Sequence, residues 1–316
     1  MKVVVTGSAG YIGSKLSGFL TRQGCQVTAF DNFIFGQKDL TRHVLQKEGI
    51  TFFEQDVTEW SPVLVEAIKR ADVIFPLAAL VGAPLCDERQ EEAIKINERW
   101  FDQLQDFLDD QIVIYPNTNS GYGSTGPEIC DETTHCEPLS LYGTTKLNAE
   151  NRVLEHNRST VFRLATVFGI SHRQRMDLLV NNLVYTAMRD RKIEVFDGHF
   201  RRNYVHVDDV VAAFWHAVQN ESMRGEVYNL GNDEANMTKL ELVQKICEVT
   251  GASYDIIEGR TDPDKRDYLV SSQKLYDTGF SPKHSLQYGI EQMIHVCREN
   301  WRRFEDPNFM SMCRNY

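Results

Sequence analysis

Residues 3–14 read VVVTGSAGYIGS, and this stretch decides the fold. A β-branched run at residues 3–6 predicts a buried strand, and Gly7, Gly10 and Gly13 follow it at the start of an amphipathic helix. In such a unit the first glycine permits a tight turn, the second lets the backbone approach a pyrophosphate at the helix N-terminus, and the third allows close helix–strand packing. The alternative is an ordinary glycine turn, but the position between a strand and a helix favours a dinucleotide site.

The same alternation of short apolar strands and amphipathic helices continues to about residue 169. Strands separated by helices predict parallel pairing with right-handed crossovers, so the fold class is α/β, a Rossmann-type doubly wound parallel sheet. After residue 169 the alternation loosens, which predicts a smaller mixed α/β lobe. We therefore predict a nucleotide-binding domain at 1–169, to which part of 200–225 returns, and a mainly substrate-binding lobe at 170–316.

Composition excludes several partners. The chain has 316 residues, of which 42% are hydrophobic, enough to fill a large core. It carries 45 acidic and 34 basic residues, a net charge of -11, without a long run of either sign. This balance argues against nucleic acid as a partner. No apolar run approaches the roughly 20 residues that span a bilayer, so no membrane partner is expected.

The cysteines and histidines limit the redox and metal chemistry that can be expected. The seven cysteines form no C-x-x-C pair, and the nine histidines show no H-x-x-x-H spacing. Free thiols in a reducing compartment fit this scatter better than a disulfide framework or a zinc site. We predict a cytoplasmic protein with neither disulfide nor metal. The cysteines stand at positions 25, 86, 130, 136, 247, 297 and 313.

Acidic and small residues at later strand ends fit a dinucleotide. Asp31 ends the second predicted strand, roughly 20 residues beyond the glycines, where a carboxylate would accept hydrogen bonds from the adenosine ribose. Because a carboxylate repels a 2'-phosphate there, NAD is favoured over NADP. The alternative is that Asp31 only caps a turn. The pair Asp56 and Val57 and the run at residues 77–79 fit further walls of the cofactor site, although a helix cap and core alanines would look the same.

A second motif lies in SLYGTTKLNAE, where Tyr142 and Lys146 are four residues apart and share one helical face. A free tyrosine has a pKa near 10, so its use as a base at neutral pH needs a shift of about three units, or about 4 kcal/mol, which a nearby ammonium and a nicotinamide cation can supply. Spacing alone is weak, because Tyr11 and Lys15 match it too and receive no chemical role. The distinguishing feature is Thr118, a hydroxyl at a strand end 24 residues before Tyr142.

In this order the motifs resemble the extended short-chain dehydrogenases/reductases, specifically the NAD-dependent nucleotide-sugar epimerase/dehydratase family. The resemblance covers nearly the whole chain: T-G-x-x-G-x-x-G at 6–13, Thr118 four residues before Tyr-Gly, Y-x-x-x-K at 142–146, and RRNYVHVDD at 201–209. It implies NAD as cofactor and Thr118, Tyr142 and Lys146 as the catalytic set, with Tyr142 as base and Lys146 also holding the nicotinamide ribose. Family members pair through helices matching 91–104 and 142–154, so a homodimer is expected.

The resemblance also implies which residues contact each ligand. The implied cofactor contacts are Gly7, Gly10, Tyr11, Ile12, Gly13, Asp31, Asn32, Asp56, Val57, Leu77, Ala78, Ala79, Tyr142 and Lys146. The implied contacts to a nucleoside-diphosphate sugar are Val81, Gly82, Asn119, Ser120, Thr166, Asn181, Val195, Phe196, Arg202 and Arg266. Arg202 and Arg266 would clamp the diphosphate, which suits the bidentate geometry of guanidinium groups. Their ordinary alternative is solvated arginine in a surface loop; for Asn181 and Val195 it is a helix residue and a strand core.

Departures from the family pattern bear on the reaction. Sugar 4,6-dehydratases carry an Asp-Glu pair directly after the catalytic Thr, where this chain has Asn119 and Ser120, so dehydration is disfavoured. The epimerase-reductases that make GDP-fucose have a Cys at the Ser120 position, so that chemistry is disfavoured too. Thr166 stands where many relatives have an Asn near the substrate phosphates. Oxidation at the sugar C4 is the simplest remaining chemistry.

Three functions stay open. The first prediction is a 4-epimerase, in which the 4-keto sugar turns over and regains the hydride on its other face. The alternative is a net 4-dehydrogenase of a GDP-sugar, because PNTNSGYG, RLATVFG and DPDKRDYLVS are similar to a branch that includes a bacterial GDP-heptose 4-dehydrogenase. A third hypothesis is a sensor or scaffold that binds NAD without turnover. Polysaccharide biosynthesis is the most common setting of the family.

Overall fold

The computed structural model describes residues 1–38, 45–46, 48–260 and 266–299. Its centre is a parallel sheet of seven strands: β1 (Lys2–Thr6), β2 (Gln26–Asp31), β3 (Thr51–Glu54), β4 (Val73–Pro76), β5 (Ile112–Thr118), β7 (Ser159–Leu164) and β11 (Glu226–Leu230). The spatial order is β11-β7-β5-β4-β1-β2-β3. The chain proceeds outward from β1 to β3 and then resumes at β4 on the other side of β1. A crevice therefore opens at the carboxyl ends of β1 and β4, where such sheets bind ligands. The predicted α/β fold class is confirmed.

Helices cover both faces of this sheet, so its central strands are buried on both sides. Every residue of β4 and of β7 is buried. The helices of the chain are α1 (Tyr11–Arg22), α2 (Pro62–Arg70), α3 (Ala83–Glu88), α4 (Gln90–Ile94), α5 (Trp100–Gln105), α6 (Leu141–Leu154), α7 (Leu179–Asp190), α8 (Val207–Gln219), α9 (Lys239–Thr250), α10 (Gln273–Tyr276) and α11 (Leu286–Glu299). A π turn (Lys95–Arg99) joins α4 to α5, and single 3-10 turns span Asn119–Tyr122 and Glu221–Met223.

A second, mixed lobe comes mostly from the chain after β7, with one strand, β6, from before it. Its strands are β6 (Ser124–Cys130), β8 (Thr166–Phe168), β9 (Lys192–Val195), β10 (Arg201–His206), β12 (Asn232–Thr238), β13 (Ser253–Ile256) and β14 (Asp267–Val270). β10 pairs parallel with β8 and antiparallel with β12, while β9–β13 and β6–β14 form two small sheets. The return to the large sheet extends past residue 225, because β11 pairs with β7. Residues 300–316 of the predicted lobe lie outside the described residues.

A buried ion pair ties the centre of the large sheet to helix α6. The Nη2 of Arg163 in β7 donates to Glu150 Oε1 at 2.6 Å, and both side chains are almost fully buried. Asn117, next to the end of β5, also donates to Glu150. Arg163 Nη1 donates to the Tyr122 hydroxyl at 2.9 Å. One network therefore joins α6, β7, the end of β5 and the turn that follows it.

Replacing Arg163 with Met should destabilise the fold by about 3 kcal/mol, because it leaves the Glu150 carboxylate buried without its cation. Urea denaturation followed by circular dichroism measures the free energy of unfolding. The double variant Arg163→Met/Glu150→Gln is the control, since it removes both charges and should regain more than half of the loss. Additive losses in the double variant would show that the two side chains are not energetically coupled.

Two further observations concern membrane-spanning helices and thiols. Within the described ranges, no helix combines the length and apolarity needed to cross a membrane. The described cysteines, at positions 25, 86, 130, 136, 247 and 297, are free thiols. Cys313 lies outside the described residues.

Candidate active site

A groove of about 1650 Å³ follows the carboxyl ends of β1, β2, β4 and β5, between the large sheet and the second lobe. Pockets for one drug-sized ligand measure about 300–1000 Å³, so this groove has room for a dinucleotide and a second ligand together. Its walls come from both halves of the chain: Asp31 and Tyr142 from the sheet domain, and Phe196 and Arg202 from the second lobe.

The glycine turn is shaped by close backbone contacts. Gly7 has φ +66°, and a Cβ placed on it would lie 2.7 Å from Ala78 N. A Cβ on Gly13 would lie 2.1 Å from Gly7 O, and one on Gly10 would lie 3.0 Å from the same oxygen. Side chains at these positions would collide with the backbone of the turn itself or of residues 77–78. The turn therefore fits a cofactor pyrophosphate, which needs exposed N–H groups at a helix start.

The end of β2 presents a buried carboxylate beside this turn. Asp31 accepts hydrogen bonds from Ala9 N at 2.9 Å and Phe33 N at 2.8 Å. Burial raises the pKa of Asp31, and these two N–H groups oppose the shift. Burial likewise acts to raise the pKa of Asp56, but hydrogen bonds from Thr58 and Asn32 hold that pKa below its usual value. These carboxylates can accept hydrogen bonds from the hydroxyls of an adenosine ribose, which fits NAD.

Tyr142 lies in the first turn of α6, whose start is capped by Ser140 Oγ accepting from Gly143 N at 3.2 Å. Its phenol lines the groove together with the Thr118 hydroxyl at the end of β5. Burial raises the pKa of Tyr142 to about 12, whereas Arg175, Arg266 and the Thr118 hydroxyl act to lower it. A phenol, a hydroxyl and two cations thus meet in the groove.

Thr118 also organises the turn that follows β5. Its hydroxyl lies 3.0 Å from the Ser120 hydroxyl and accepts from Ser120 N at 3.1 Å. Arg266 donates a hydrogen bond to the Ser120 hydroxyl from the other wall. Hydrogen bonds therefore join the two hydroxyls of this turn to each other and to Arg266 from the second lobe.

Lys146 lies one helical turn after Tyr142 and is only 4% exposed. Its Nζ is 4.0 Å from the centroid of the Tyr115 ring. Burial lowers the pKa of Lys146 to about 7, and the neighbouring Cys86 and Glu150 oppose this shift. The fold thus holds this lysine in a place that disfavours its charged form.

Lys146 should destabilise the protein when no cofactor is bound. Its pKa is about 7 in the folded state and 10.5 in the unfolded state, so the free energy of unfolding decreases as pH falls from about 10.5 to about 7. We expect Lys146→Met to raise the melting temperature of the nucleotide-free protein by several degrees at pH 7.5, and the gain to shrink toward pH 10.5. Thermal unfolding across this pH range measures it, with Lys69→Met, at an exposed helix position, as control. A melting temperature lowered at every pH would contradict the expectation.

The structure brings most of the predicted contacts into this groove. Lining it are Gly7, Gly10, Tyr11, Ile12, Gly13, Asp31, Asn32, Asp56, Val57, Leu77, Ala78, Ala79, Val81, Gly82, Thr118, Ser120, Tyr142, Lys146, Thr166, Phe196, Arg202 and Arg266.

Three predicted substrate contacts lie elsewhere. Asn181 uses its amide inside the protein, accepting from Gly169 N and donating to Arg175 O and Tyr11 Oη. Val195 is 1% exposed and belongs to the apolar core of the second lobe. Asn119 is 0% exposed, behind the groove wall. In each case backbone direction turns the side chain away from the groove.

Sequence reasoning missed several groove residues in the segment after β8. Arg173, Arg175 and Asp177 line the groove, and so does Phe35 after β2. Arg175 pairs with Asp177 through Nε at 3.1 Å from Oδ1. The available signal was the pair of arginines in SHRQRMD, directly after a strand end in an acidic chain.

One group of side chains has the spacing of metal ligands. Ligand atoms of His206, Asp208 and His284 lie within 4.8 Å of one another. The ammonium of Lys15 already lies 2.5 Å from Asp208, and His284 Nδ1 is 2.8 Å from Asp209 Oδ1. These contacts are those of a polar cluster at the start of α8, and the prediction of no metal stays a prediction.

Comparison with known proteins agrees with this geometry. The model of the NAD dependent epimerase/dehydratase family matches residues 3–231. An uncharacterized UDP-glucose epimerase of Bacillus subtilis (strain 168) is 26% identical, over 93% of this chain and 97% of that protein. A UDP-glucose 4-epimerase of Corynebacterium glutamicum is 26% identical, over 90% of this chain and 92% of that protein. The structure of MoeE5 in complex with UDP-glucose and NAD is 25% identical with a TM-score of 0.81, over 95% of this chain and 100% of that chain.

The family match spans well over half of the chain, and the residues that fit NAD line one groove with the Tyr142–Lys146 pair. NAD is the cofactor, and a non-catalytic sensor or scaffold is not supported. This chain therefore belongs to the NAD dependent epimerase/dehydratase family, within the extended short-chain dehydrogenases/reductases, and is an NAD-dependent enzyme of nucleotide-sugar chemistry.

Proposed function

We propose that this enzyme is a nucleotide-sugar 4-epimerase, which oxidises the C4 hydroxyl of its sugar and reduces the ketone on the opposite face. The observation that carries the proposal is that Thr118 and Tyr142 line the same groove, where the Thr118 hydroxyl acts on the pKa of the phenol, with Lys146 one helical turn away. A phenol and a hydroxyl on one groove wall can move one proton to and from one sugar oxygen.

Tyr142 is the proposed base that takes the C4 hydroxyl proton, and Thr118 the proposed hydroxyl that guides it. Bound NAD supplies the hydride acceptor, and its cationic ring favours the ionised phenol. Arg175 and Arg266 act on Tyr142 in the same direction, against the effect of burial. Because the pKa of Lys146 is about 7, part of this lysine is ammonium at neutral pH and also favours the ionised phenol.

The neighbours of Thr118 favour epimerisation over dehydration. Loss of water from the sugar would need a further acid and base to move the C5 proton. Asn119 has an amide, which does not exchange protons in this way, and it is fully buried. Ser120 carries only a hydroxyl, which accepts from Arg266. A single proton-transfer pair supports oxidation and reduction at one carbon.

The second lobe offers groups for a nucleoside diphosphate. Arg202 is almost fully buried, with Cζ 5.4 Å from the centroid of the Tyr268 ring. Together with Arg266 it would clamp the diphosphate, since a guanidinium binds phosphate oxygens bidentately. The Phe196 ring, 4.0 Å from Lys239 Nζ, offers an apolar face near the nucleoside. UDP-glucose is the first sugar to try, because two similar proteins act on or bind it.

A single-turnover experiment tests the proposal. Enzyme with bound NAD is mixed in excess over UDP-, GDP-, dTDP- and CDP-sugars, while absorbance at the reduced-nicotinamide band is followed and the sugar is identified by NMR. An epimerase gives a signal that rises and decays, with the C4 epimer as product. A matched run with Thr118→Val should slow the rise, because the second hydroxyl of the pair is lost.

Other results would overturn the epimerase. A reduced-nicotinamide signal that persists beside a 4-keto sugar would identify a net 4-dehydrogenase, the GDP-sugar alternative if GDP-heptose produces it. A keto sugar that has lost water would identify a dehydratase. No signal with any sugar would contradict the proposal.

Assembly and location stay predictions. A homodimer through residues 91–104 and 142–154 is expected from the family, and gel filtration with light scattering would measure it. A cytoplasmic location is expected from the scattered cysteines.

A further inference from the structure

The segment after β8 is fastened to the first turn of α1. Gly169 O accepts from the Tyr11 hydroxyl at 2.7 Å, and Ile170 O accepts from Lys15 Nζ at 2.9 Å. The Ser171 hydroxyl donates to Tyr11 O at 2.5 Å. Residues 169–171 thus lie against the helix start where a cofactor pyrophosphate would bind.

Arg173 follows two residues later and turns into the groove. It is 8% exposed, and its Cζ lies 4.4 Å from the centroid of the Phe35 ring. The charges of Asp31 and Arg173 interact: Arg173 acts to lower the pKa of Asp31, and Asp31 acts to raise the pKa of Arg173. The guanidinium therefore enters the groove from the second lobe beside Asp31, on a segment that is fastened to the start of α1.

The surroundings of Arg173 disfavour its charged form. Burial and the neighbouring Arg175 lower its pKa to about 9, while Asp177 and Asp31 oppose the shift. A buried guanidinium is costly unless anions compensate it. A bound pyrophosphate would add the negative charge that this position favours.

We propose that Arg173 binds the NAD pyrophosphate together with the glycine turn and so locks the cofactor into the enzyme. The planar fork of a guanidinium matches two phosphate oxygens, and the backbone N–H groups at the start of α1 would hold the same pyrophosphate. Because the segment carrying Arg173 is fastened to Tyr11 and Lys15, the clamp is rigid.

The clamp has a consequence for turnover. An epimerase must keep its reduced cofactor until the ketone has turned over, whereas a net dehydrogenase must exchange it in every cycle. A guanidinium on the pyrophosphate slows that exchange. The clamp needs only bound NAD, so it holds whether the sugar leaves as an epimer or as a ketone.

The test compares Arg173→Gln and Arg173→Lys with the native enzyme, using Arg70→Gln, an exposed arginine paired with Glu66, as the control for charge loss. Bound NAD is measured in the purified proteins after gel filtration, and calorimetry on nucleotide-free protein gives Kd for NAD, ADP-ribose and adenosine. Loss of a charged hydrogen-bond pair predicts a Kd for NAD and ADP-ribose raised about 10- to 100-fold in Arg173→Gln. Arg173→Lys should fall between, with adenosine unchanged.

Several results would overturn the clamp. An unchanged Kd for NAD in a variant that melts like the native enzyme would show that Arg173 only balances Asp31. Equal weakening for adenosine would assign Arg173 to the adenosine pocket instead. If Arg173→Gln does not fold, Arg173→Lys is the deciding variant. A Kd for NAD in Arg173→Lys within twofold of the native value refutes the pyrophosphate contact, provided that the Kd of Arg70→Gln is also unchanged.

Discussion

Replacing Tyr142 with Phe should lower the rate of sugar oxidation by about 1000-fold or more. General acid–base catalysis contributes about 100- to 10,000-fold, and the change deletes one oxygen while leaving the ring in place. The Thr118 hydroxyl keeps its contacts with Ser120 in this variant, so the change removes only the phenol oxygen. The single-turnover absorbance trace with the identified sugar measures the rate.

The control for this variant is Tyr254→Phe, which deletes the same atom from a partly buried tyrosine of β13 that accepts from Gln244 at 3.2 Å. It should keep the native rate. Tyr142→Phe should also keep its bound NAD, since the glycine turn and Asp31 are untouched. An unchanged oxidation rate in Tyr142→Phe would assign the base to another group, and a loss of NAD would make the variant a binding defect.

The pH profile of the native enzyme adds a second readout. A tyrosine base works in its ionised form, and burial raises the pKa of Tyr142 to about 12 in the protein without cofactor. The oxidation rate should therefore rise with pH through the neutral range, up to the lower pKa that Tyr142 has in the complex. Tyr142→Phe should lose this rise.

How much of the site was predictable depends on how local its signals are. The glycine turn, Asp31 and the Tyr142–Lys146 pair depend on short spacings along one strand or helix, and the groove contains them all. Asn181 and Val195 were predicted by position alone. Their side chains turn into hydrogen bonds and core packing that only the tertiary structure determines.

The arginines after β8 show the opposite failure. Arg173 and Arg175 were not predicted, because no spacing rule links that segment to the glycine turn about 160 residues earlier in the chain. Their place depends on hydrogen bonds from Tyr11 and Lys15 to Gly169 and Ile170. Tyr11 and Lys15 match the catalytic spacing, yet they fasten the second lobe to α1. The same Y-x-x-x-K spacing therefore has a structural role at Tyr11 and Lys15 and a proposed catalytic role at Tyr142 and Lys146, depending on what packs beside it.

Replacing Gly13 with Ala should abolish NAD binding and destabilise the protein by about 3 kcal/mol or more. The new Cβ would lie 2.1 Å from Gly7 O, a backbone atom that cannot rotate away. Overpacking of this kind forces the backbone to shift, which costs at least about 1–3 kcal/mol and moves the N–H groups facing the pyrophosphate. Urea denaturation gives the free energy of unfolding, and calorimetry gives the affinity for NAD.

Gly18→Ala, on the same helix, is the matched control. Its Cβ would meet only the ends of two flexible side chains, Arg22 at 3.3 Å and Glu48 at 3.4 Å, which can move. Alanine favours a helix interior over glycine by about 1 kcal/mol, so this variant should be equally or more stable and should bind NAD normally. Similar losses in both variants would mean that the damage comes from altering α1 in general. Loss in Gly13→Ala alone would mean that the approach of α1 to β1 at Gly7 is what the cofactor site requires.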